Sequence, residues 1–487
     1  MNLTDILEAV PVINLSGDTD IDIRGITYSS KSVQPGFLFA AMKGEKTDGM
    51  NFVADSLERG ALAVLSDREA PENFPKTWIQ ACNARLALGL CSANFYSHPS
   101  EEIPVIGVTG TKGKTTVTYI LEAILKKANF RPGVLGTISY RGPKREIPAP
   151  RTTPEAPDLQ RMLREMIQDG ASHCVMEVSS HSLALQRVTG IRFQLTVFTN
   201  LSGEHMDYHH SMEDYFEAKK RLFSLPGKKH LAVVNTDDSW GKKLASQLTM
   251  GVISFGVAPP AMVRAEQFRF SEKGIEADIK YPAGRISLQS PLLGRPNLYN
   301  ILAATASALI LNIPVHKIKE GIASLRGVPG RFEKIENPFG FNLMVDYAHT
   351  DDALRKLLET TRELSKQRII LVFGAGGDRD KTKRPRMGEV AASYADWMII
   401  TSDNPRSEDP LTIISQIEEG IKKTGSTKYS VQPDRKKAIR EALRLAKRDD
   451  YVLVAGKGHE NYQIVGDEVH TFDDADVIRE IIKELEG

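Results

Sequence analysis

The stretch IPVIGVTGTKGKTTVTYILEAILKKA, Ile103 to Ala128, decides the fold. Ile103 to Val108 is an apolar run of strand length. A glycine-rich loop follows, and TTVTYILEAILKKA reads as a helix. In that context the glycines let backbone N–H groups converge on phosphate oxygens. Lys114 adds a point charge, the Thr115 hydroxyl can ligate magnesium, and the helix N-terminus favours an anion. The spacing departs from GxxxxGK[ST]: Val108 stands at the first glycine position, with Gly107 and Gly110 nearby. The bland alternative is a glycine turn that binds nothing. Taken alone, the loop implies a nucleotide and leaves kinases, ATPases and ligases open.

Further strands are expected at 173–178, 194–199 and 231–235, with helices between them. This alternation argues for a mostly parallel sheet covered by helices on both faces. Upstream, 36–42 and 61–67 read as buried strands and 51–60 as a helix ending at Gly60. ISFGV, EQFRF, IEADIK and RISLQS, within 253–290, read as short strands forming an antiparallel addition. A helix is expected near 298–311, and LRGVPGRFEKI (325–335) reads as a hinge. Strands at 342–346, 368–373, 396–401 and 451–455 then alternate with helices. LVFGAGGDRD lacks GxGxxG spacing, so no NAD site is read there. The expectation is α/β with three domains: a small N-terminal domain (1–98), a central P-loop parallel-sheet domain (99–328) and a C-terminal Rossmann-like domain (329–487).

A chain of 487 residues is too long for one core. It is 41% hydrophobic and 26% charged with net charge +1, so neither nucleic acid nor an anionic membrane is implied as a partner. Cys82, Cys91 and Cys174 form no CxxC pair, which fits a reducing cytosol. MNLTDILEAVPVINLSG has no signal-peptide pattern, and no apolar run approaches the roughly 20 residues that span a bilayer. A cytoplasmic protein acting on small soluble molecules is expected, without membrane insertion.

Glu177 in VMEVSSHS and His205 in NLSGEHMDYH fall at the carboxyl ends of expected strands, where α/β proteins bind ligands. With Thr115 they supply oxygen donors and one imidazole, a set suited to magnesium beside phosphates. His205, His209 and His210 do not form HExxH, and His181, His209 and His210 read as structural or solvated. From the residues alone, Lys219 in YFEAKKRLF reads as part of a solvated charged face.

The phosphate loop, MEVSSH, NLSGEHMDYH…FEAKK, GRPNLYN, VPGRFE and VDYAHTDDAL occur in this order. In that order and spacing the chain resembles the Mur ligases of bacterial cell-wall synthesis, from about residue 25 to about residue 475. GGDRDKTKRPRMGEVA, SDNPRSEDP and AGKGHENYQ resemble the branch that adds the third amino acid. The resemblance implies an ATP-dependent amide ligase acting on UDP-N-acetylmuramoyl-L-Ala-D-Glu through an acyl phosphate, with ATP between the central and C-terminal domains. It implies that Gly110, Thr111, Lys112, Gly113, Lys114, Thr115 and Thr116 grip ATP. Asn297 and Asn300 would contact adenine or ribose, and Arg331 and Asp346 would close over the nucleotide. Helix capping is the alternative for Asn297. Two magnesium ions are implied, on Thr115, Glu177, His205 and Lys219, with Lys219 carbamylated by CO2. Such a modification needs the neutral amine, which burial favours. Lys114, Lys219, Glu177 and His205 form the implied catalytic set. The UDP-substrate would meet Ser30, Glu45, Lys46, Thr47, Thr152, Thr153, Ser179 and Arg187. Arg151 and Leu185 depart from the family pattern, which commonly has asparagine and, in some members, glutamine at these positions.

Asp403-Asn404-Pro405-Arg406 resembles the branch that takes meso-diaminopimelate. That diamino acid carries a second carboxylate, which a guanidinium can clamp through two hydrogen bonds. Arg406 is the expected clamp and Arg379 a second basic group. Gly456 and Glu460 would hold the far end, with Glu460 attracting its ammonium. Without the resemblance, Asp403 to Arg406 reads as a turn after a strand. The alternatives are the same ligase taking L-lysine, a nucleotide-binding paralogue without activity, and a folate-polyglutamate ligase, which should lack the DNPR segment. A monomer is expected.

Overall fold

The computed structural model describes residues 1–44, 47–204, 206, 208–225, 227 and 230–486. They form two compact units: Met1–Arg264 with Leu302–Gly321, and Ala265–Ile301 with Ile322–Gly487.

The first unit contains two sheets. In the smaller, the strands run in the order Val12–Ser16, Thr77–Ala81, Ala63–Ser66, Phe37–Ala41, Gly25–Thr27. Only the first pairing is antiparallel. The larger sheet is built around the strand Val105–Thr109, flanked in parallel by His173–Glu177 and Leu195–Phe198. Leu231–Asn235 and Gly251–Gly256 continue it on one side and Pro132–Leu135 on the other. The helix Lys114–Lys127 buries Val117, Ile120, Leu121, Ile124 and Leu125, the spacing of a single helical face. Gly321 lies so close to this helix that a Cβ there would stand 2.4 Å from the Ile124 Cα.

One expectation changes. Gly251–Gly256, which contains ISFG, is not part of an antiparallel addition, because it runs parallel to Leu231–Asn235 and is reached through the helix Ser239–Gln247. Phe255 and Gly256 also pair in parallel with Val263 and Arg264. An antiparallel hairpin does exist, between Gly274–Tyr281 and Gly284–Ser290 in the second unit.

The second unit's main sheet has the order Glu333–Lys334, Asn342–Asp346, Tyr451–Ala455, Ile369–Phe373, Trp397–Ile400, Tyr429–Val431. All but the first pairing are parallel. Ile369, Leu371 and Phe373 face a core with Leu358, Met387 and Ile417. Ile370 and Val372 face the opposite core with Ile439, Ile478 and Ile481. Burial on both faces explains why this strand is apolar throughout rather than alternating. The chain is α/β, and no described helix is long and apolar enough to cross a membrane.

Candidate active site

The parallel register sets the first unit's site. Val108 pairs with Glu177 on one side and with Val197 on the other, so three strand ends open beside the same loop. At Gly110, φ is +146°, and a Cβ would fall 1.9 Å from the Thr199 hydroxyl, so no side chain fits. Thr199 Oγ1 donates to the Lys112 carbonyl (2.6 Å), Asn200 Nδ2 donates to the same oxygen (3.1 Å), and the Lys112 amide donates to Asn200 Oδ1 (3.0 Å). The Thr111 amide donates to the Asn200 carbonyl at 2.9 Å. These contacts fix the shape of the loop. Lys114 Nζ donates to the carbonyls of Gly110 (2.9 Å) and Thr111 (3.0 Å). Among the described residues no side chain caps the helix at Gly113, and Thr116 is buried in its first turn.

Glu177 is 1% exposed at the end of its strand. It accepts hydrogen bonds from Thr115 Oγ1 (3.0 Å), the Thr137 amide (2.8 Å) and Thr137 Oγ1 (3.0 Å). A buried carboxylate with two hydroxyls is an all-oxygen set, which suits magnesium. Among the described residues no group of three His, Cys, Asp or Glu could hold a metal. A magnesium ion that keeps waters and phosphate oxygens needs only one or two protein carboxylates, so the residues fit that role.

Lys219, on the helix Met212–Lys220, is 1% exposed, so the solvated-face reading is overturned. Its Nζ donates to the Gly110 carbonyl at 2.9 Å and lies 4.5 Å from the Tyr215 ring centre. Burial, with the nearby positive Lys114, pushes its pKa well below the ordinary lysine value. Burial thus favours the neutral amine over the ammonium. His209 is buried, stacks on Tyr215 and shares a 2.9 Å hydrogen bond with Ser180, a structural role. His205, Glu45 and Lys46 lie outside the described residues.

Several UDP-substrate candidates adjoin Glu177. Thr153 Oγ1 donates to its backbone carbonyl (2.9 Å) and accepts from the Ser179 amide (3.2 Å). Thr152 Oγ1 is 3.2 Å from Thr137 Oγ1. The Ser179 side chain caps the helix Ser180–Ala184. Arg187 pairs with Glu155 at 2.8 Å, and Arg151 reaches the same carboxylate at 2.6 Å. Ser30 is buried in the turn Ser30–Ser32, and Thr47 is exposed. Thr137 is the residue that motif reading missed.

In the second unit, Asn297 lies inside the helix Arg295–Ile310 rather than before it. Its Nδ2 donates to the Leu293 carbonyl (2.9 Å), and Asn300 Nδ2 donates to Asn297 Oδ1 (3.0 Å). The capping alternative therefore fails. Asp346 accepts from the amides of Phe332 (2.7 Å) and Ala348 (2.8 Å), and the Arg331 guanidinium lies 4.7 Å over the Tyr347 ring.

Asp403 to Arg406 follow the strand Trp397–Ile400. The Asn404 carbonyl accepts from the Gly377 amide (2.9 Å), and Arg406 Nη1 donates to the Gly377 carbonyl (2.7 Å). A Cβ on Gly376 would stand 3.0 Å from Arg406 Nη1 and 3.9 Å from Arg379 Cγ, so both arginines flank this loop. The Pro405 carbonyl packs where a Gly377 side chain would stand. Gly456, at φ +120°, is closed to a side chain by Asp403, whose Oδ2 would lie 2.6 Å from a Cβ. Glu460 accepts from Asn404 Nδ2 at 2.8 Å, and burial, with Asp403, raises its pKa. These residues, named from separate motifs, are brought together.

A phosphate loop with a buried carboxylate and a buried lysine, together with an acidic and basic cluster at the strand ends of a second sheet, defines a nucleotide-using α/β enzyme. The chain belongs to the Mur ligase family: residues 22–96 match "Mur ligase family, catalytic domain", 108–308 "Mur ligase middle domain" and 330–458 "Mur ligase, glutamate ligase domain". It is 45% identical over 507 residues to the UDP-N-acetylmuramoyl-L-alanyl-D-glutamate--2,6-diaminopimelate ligase of Geobacter metallireducens, covering 100% of this chain and 99% of that one. The ligase of the same name from Caldanaerobacter subterraneus is 44% identical over 486 residues, with 100% of both chains covered. A solved structure of a UDP-N-acetylmuramoyl-L-alanyl-D-glutamate--2,6-diaminopimelate ligase superposes with a TM-score of 0.72 at 31% identity, covering 100% of this chain and 99% of the other.

Proposed function

We propose that this chain is an ATP-dependent amide ligase that joins meso-diaminopimelate to UDP-N-acetylmuramoyl-L-Ala-D-Glu, a step of peptidoglycan precursor synthesis. The observation that carries this reading is the convergence of Thr115, Glu177 and the buried Lys219 on one phosphate loop. The names of full-length relatives support the choice of substrates.

A carboxylate is a poor electrophile. In the proposed reaction, a γ-carboxylate oxygen of the D-glutamyl residue bonds to the γ-phosphorus of ATP and ADP leaves. The amine of the diamino acid then attacks the acyl carbon of the acyl phosphate. The tetrahedral intermediate loses a proton and expels phosphate, leaving the amide. Such transfer depends mostly on positioning and charge neutralisation. Gly110 to Thr116 cradle the phosphates, and Lys114 neutralises the terminal ones. Thr115, Glu177, His205 and a carbamylated Lys219 would hold two magnesium ions, which when bound neutralise phosphate charge. Asn297, Asn300, Arg331 and Asp346 serve the nucleotide. Ser30, Glu45, Lys46, Thr47, Thr152, Thr153, Ser179 and Arg187 serve the UDP-substrate. Arg379, Asp403, Asn404, Pro405, Arg406, Gly456 and Glu460 serve the diamino acid. Functionally the chain divides into residues 1–98, 99–328 and 329–487, and each family match falls within one of these segments. The enzyme works in the cytoplasm as a monomer.

The test is phosphate release from ATP in the presence of UDP-N-acetylmuramoyl-L-Ala-D-Glu, with meso-diaminopimelate or L-lysine as the second substrate. Release that depends on diaminopimelate is expected. A preference for lysine would defeat the role given to Arg406, and no ADP with either amino acid would defeat the ligase reading.

A further inference from the structure

Lys457 is a fully buried cation at the second unit's site that no substrate role above includes. Lys457, in the turn after the strand Tyr451–Ala455, is 0% exposed. Its Nζ donates to Asn404 Oδ1 at 3.2 Å and to the Tyr462 carbonyl, and it lies 3.6 Å from Glu460 Oε2. An ammonium can only donate, so the atom of the Asn404 amide that faces it must be the oxygen. The same oxygen accepts from the Ile464 amide at 3.1 Å. Two donors thereby fix the amide, and its NH2 is turned onto Glu460 Oε2 at 2.8 Å. The Tyr347 hydroxyl lies 3.4 Å from the other Glu460 oxygen.

Charge points the same way. Burial and the neighbouring Asp403 both push the Glu460 carboxyl up, whereas Lys457 and Asn404 hold it down. Without Lys457, the Asn404 amide loses one of its two anchors, and Glu460 sits beside Asp403 with less compensation.

We propose that Lys457 is a positioning residue for the diamino acid: it orients the Asn404 amide and, 3.6 Å from Glu460 Oε2, sets that carboxylate in place to hold the distal ammonium of the incoming substrate. This rests on the diamino-acid reading of the site. Lys457 itself need not touch the substrate.

The experiment compares two substrates within each variant of the full chain: meso-diaminopimelate, and 2-aminopimelate, which lacks the distal amine. Phosphate release gives kcat and KM for each, with ATP and the UDP-dipeptide saturating. Lys457→Met fills the space without charge, and Lys457→Arg restores a cation. A charged hydrogen-bonded contact is worth about tenfold or somewhat more in binding, so wild type should prefer diaminopimelate by at least that factor. In Lys457→Met the preference should fall about tenfold through KM for diaminopimelate, with KM for ATP unchanged and much of the preference regained in Lys457→Arg. The preference is a ratio within one preparation, so a smaller folded fraction cancels from it. If methionine prevents folding altogether, Lys457→Gln gives the same ratio. Equal weakening of both substrates, or an unchanged preference, overturns the role of Lys457. A wild type that does not distinguish the two substrates overturns the diamino-acid reading beneath it, a separate result obtained before any variant is made.

Discussion

Thr137 donates both its amide and its hydroxyl to Glu177, while its Oγ1 also lies 3.2 Å from Thr152 Oγ1. One small side chain thus links the carboxylate proposed for magnesium with a residue proposed for the UDP-substrate. Thr137→Val keeps the shape and removes the hydroxyl. A hydrogen bond to a charged group contributes about 1.5–3 kcal/mol, so kcat/KM should fall roughly tenfold to a hundredfold, with Thr137→Ser close to wild type. Steady-state phosphate release checks this, and equal losses in Val and Ser would point to packing instead. Lys219 makes a stronger demand. Its buried amine bonds the phosphate-loop carbonyl of Gly110, and Lys219→Ala should abolish amide formation while circular dichroism stays native. Normal turnover in that variant would remove the carbamate from the proposal. Both residues show where the sequence stops informing. EAKKR has the composition of a solvated charged helix face, and only the tertiary fold buries Lys219. Thr137 follows RPGVLG, whose proline and two glycines mask the strand Pro132–Leu135 that delivers it.

Glu408, paired with both Arg384 and Lys381, ties two loops of the second unit together. Arg384, 0% exposed on the helix Lys383–Tyr394, makes hydrogen bonds of 2.9 Å to both oxygens of Glu408. It also donates to the Gly376 carbonyl at 3.1 Å. Glu408 accepts from the Asp378 amide at 2.7 Å, so the Arg379 loop and the Asp403–Arg406 loop share one anchor. The Arg384 hydrogen bonds hold the Glu408 carboxyl at about 2, against an ordinary 4.5. A depressed carboxyl stabilises the fold fully above its unfolded value and loses that contribution as pH falls through its folded value. The melting-temperature advantage of wild type over Glu408→Gln should therefore be complete above pH 4.5 and shrink as pH falls toward about 2. An advantage independent of pH would mean that shape, not charge, holds the loops. Elements with local signatures were legible: the strand, loop and helix from Val105 to Lys127, and the apolar run Ile369–Phe373. The direction of Gly251–Gly256 was not, because a short strand carries no mark of parallel or antiparallel pairing. That choice is made by the crossover helix Ser239–Gln247.

The division into two compact units has a thermodynamic consequence for the whole molecule. Each unit has its own buried core, so heat should unfold the chain in more than one step. Tryptophan reports the steps separately: Trp78 and Trp240 lie in the first unit and Trp397 in the second, and the sequence has only these three. Trp397→Phe leaves fluorescence from the first unit alone. The proposed phosphate grip, from Gly110 to Thr116, also lies in that unit. A ligand that binds only the native state adds about 2.7 kcal/mol at a hundred times its Kd. Magnesium-ATP should therefore raise the melting temperature seen by Trp78 and Trp240. In Lys114→Met that shift should shrink or vanish at the same nucleotide concentration, because the methionine keeps the length of the lysine and loses the charge that meets the phosphates. An equal shift in both proteins would place the dominant nucleotide contacts away from the loop, and the proposed role of Lys114 would have to be abandoned.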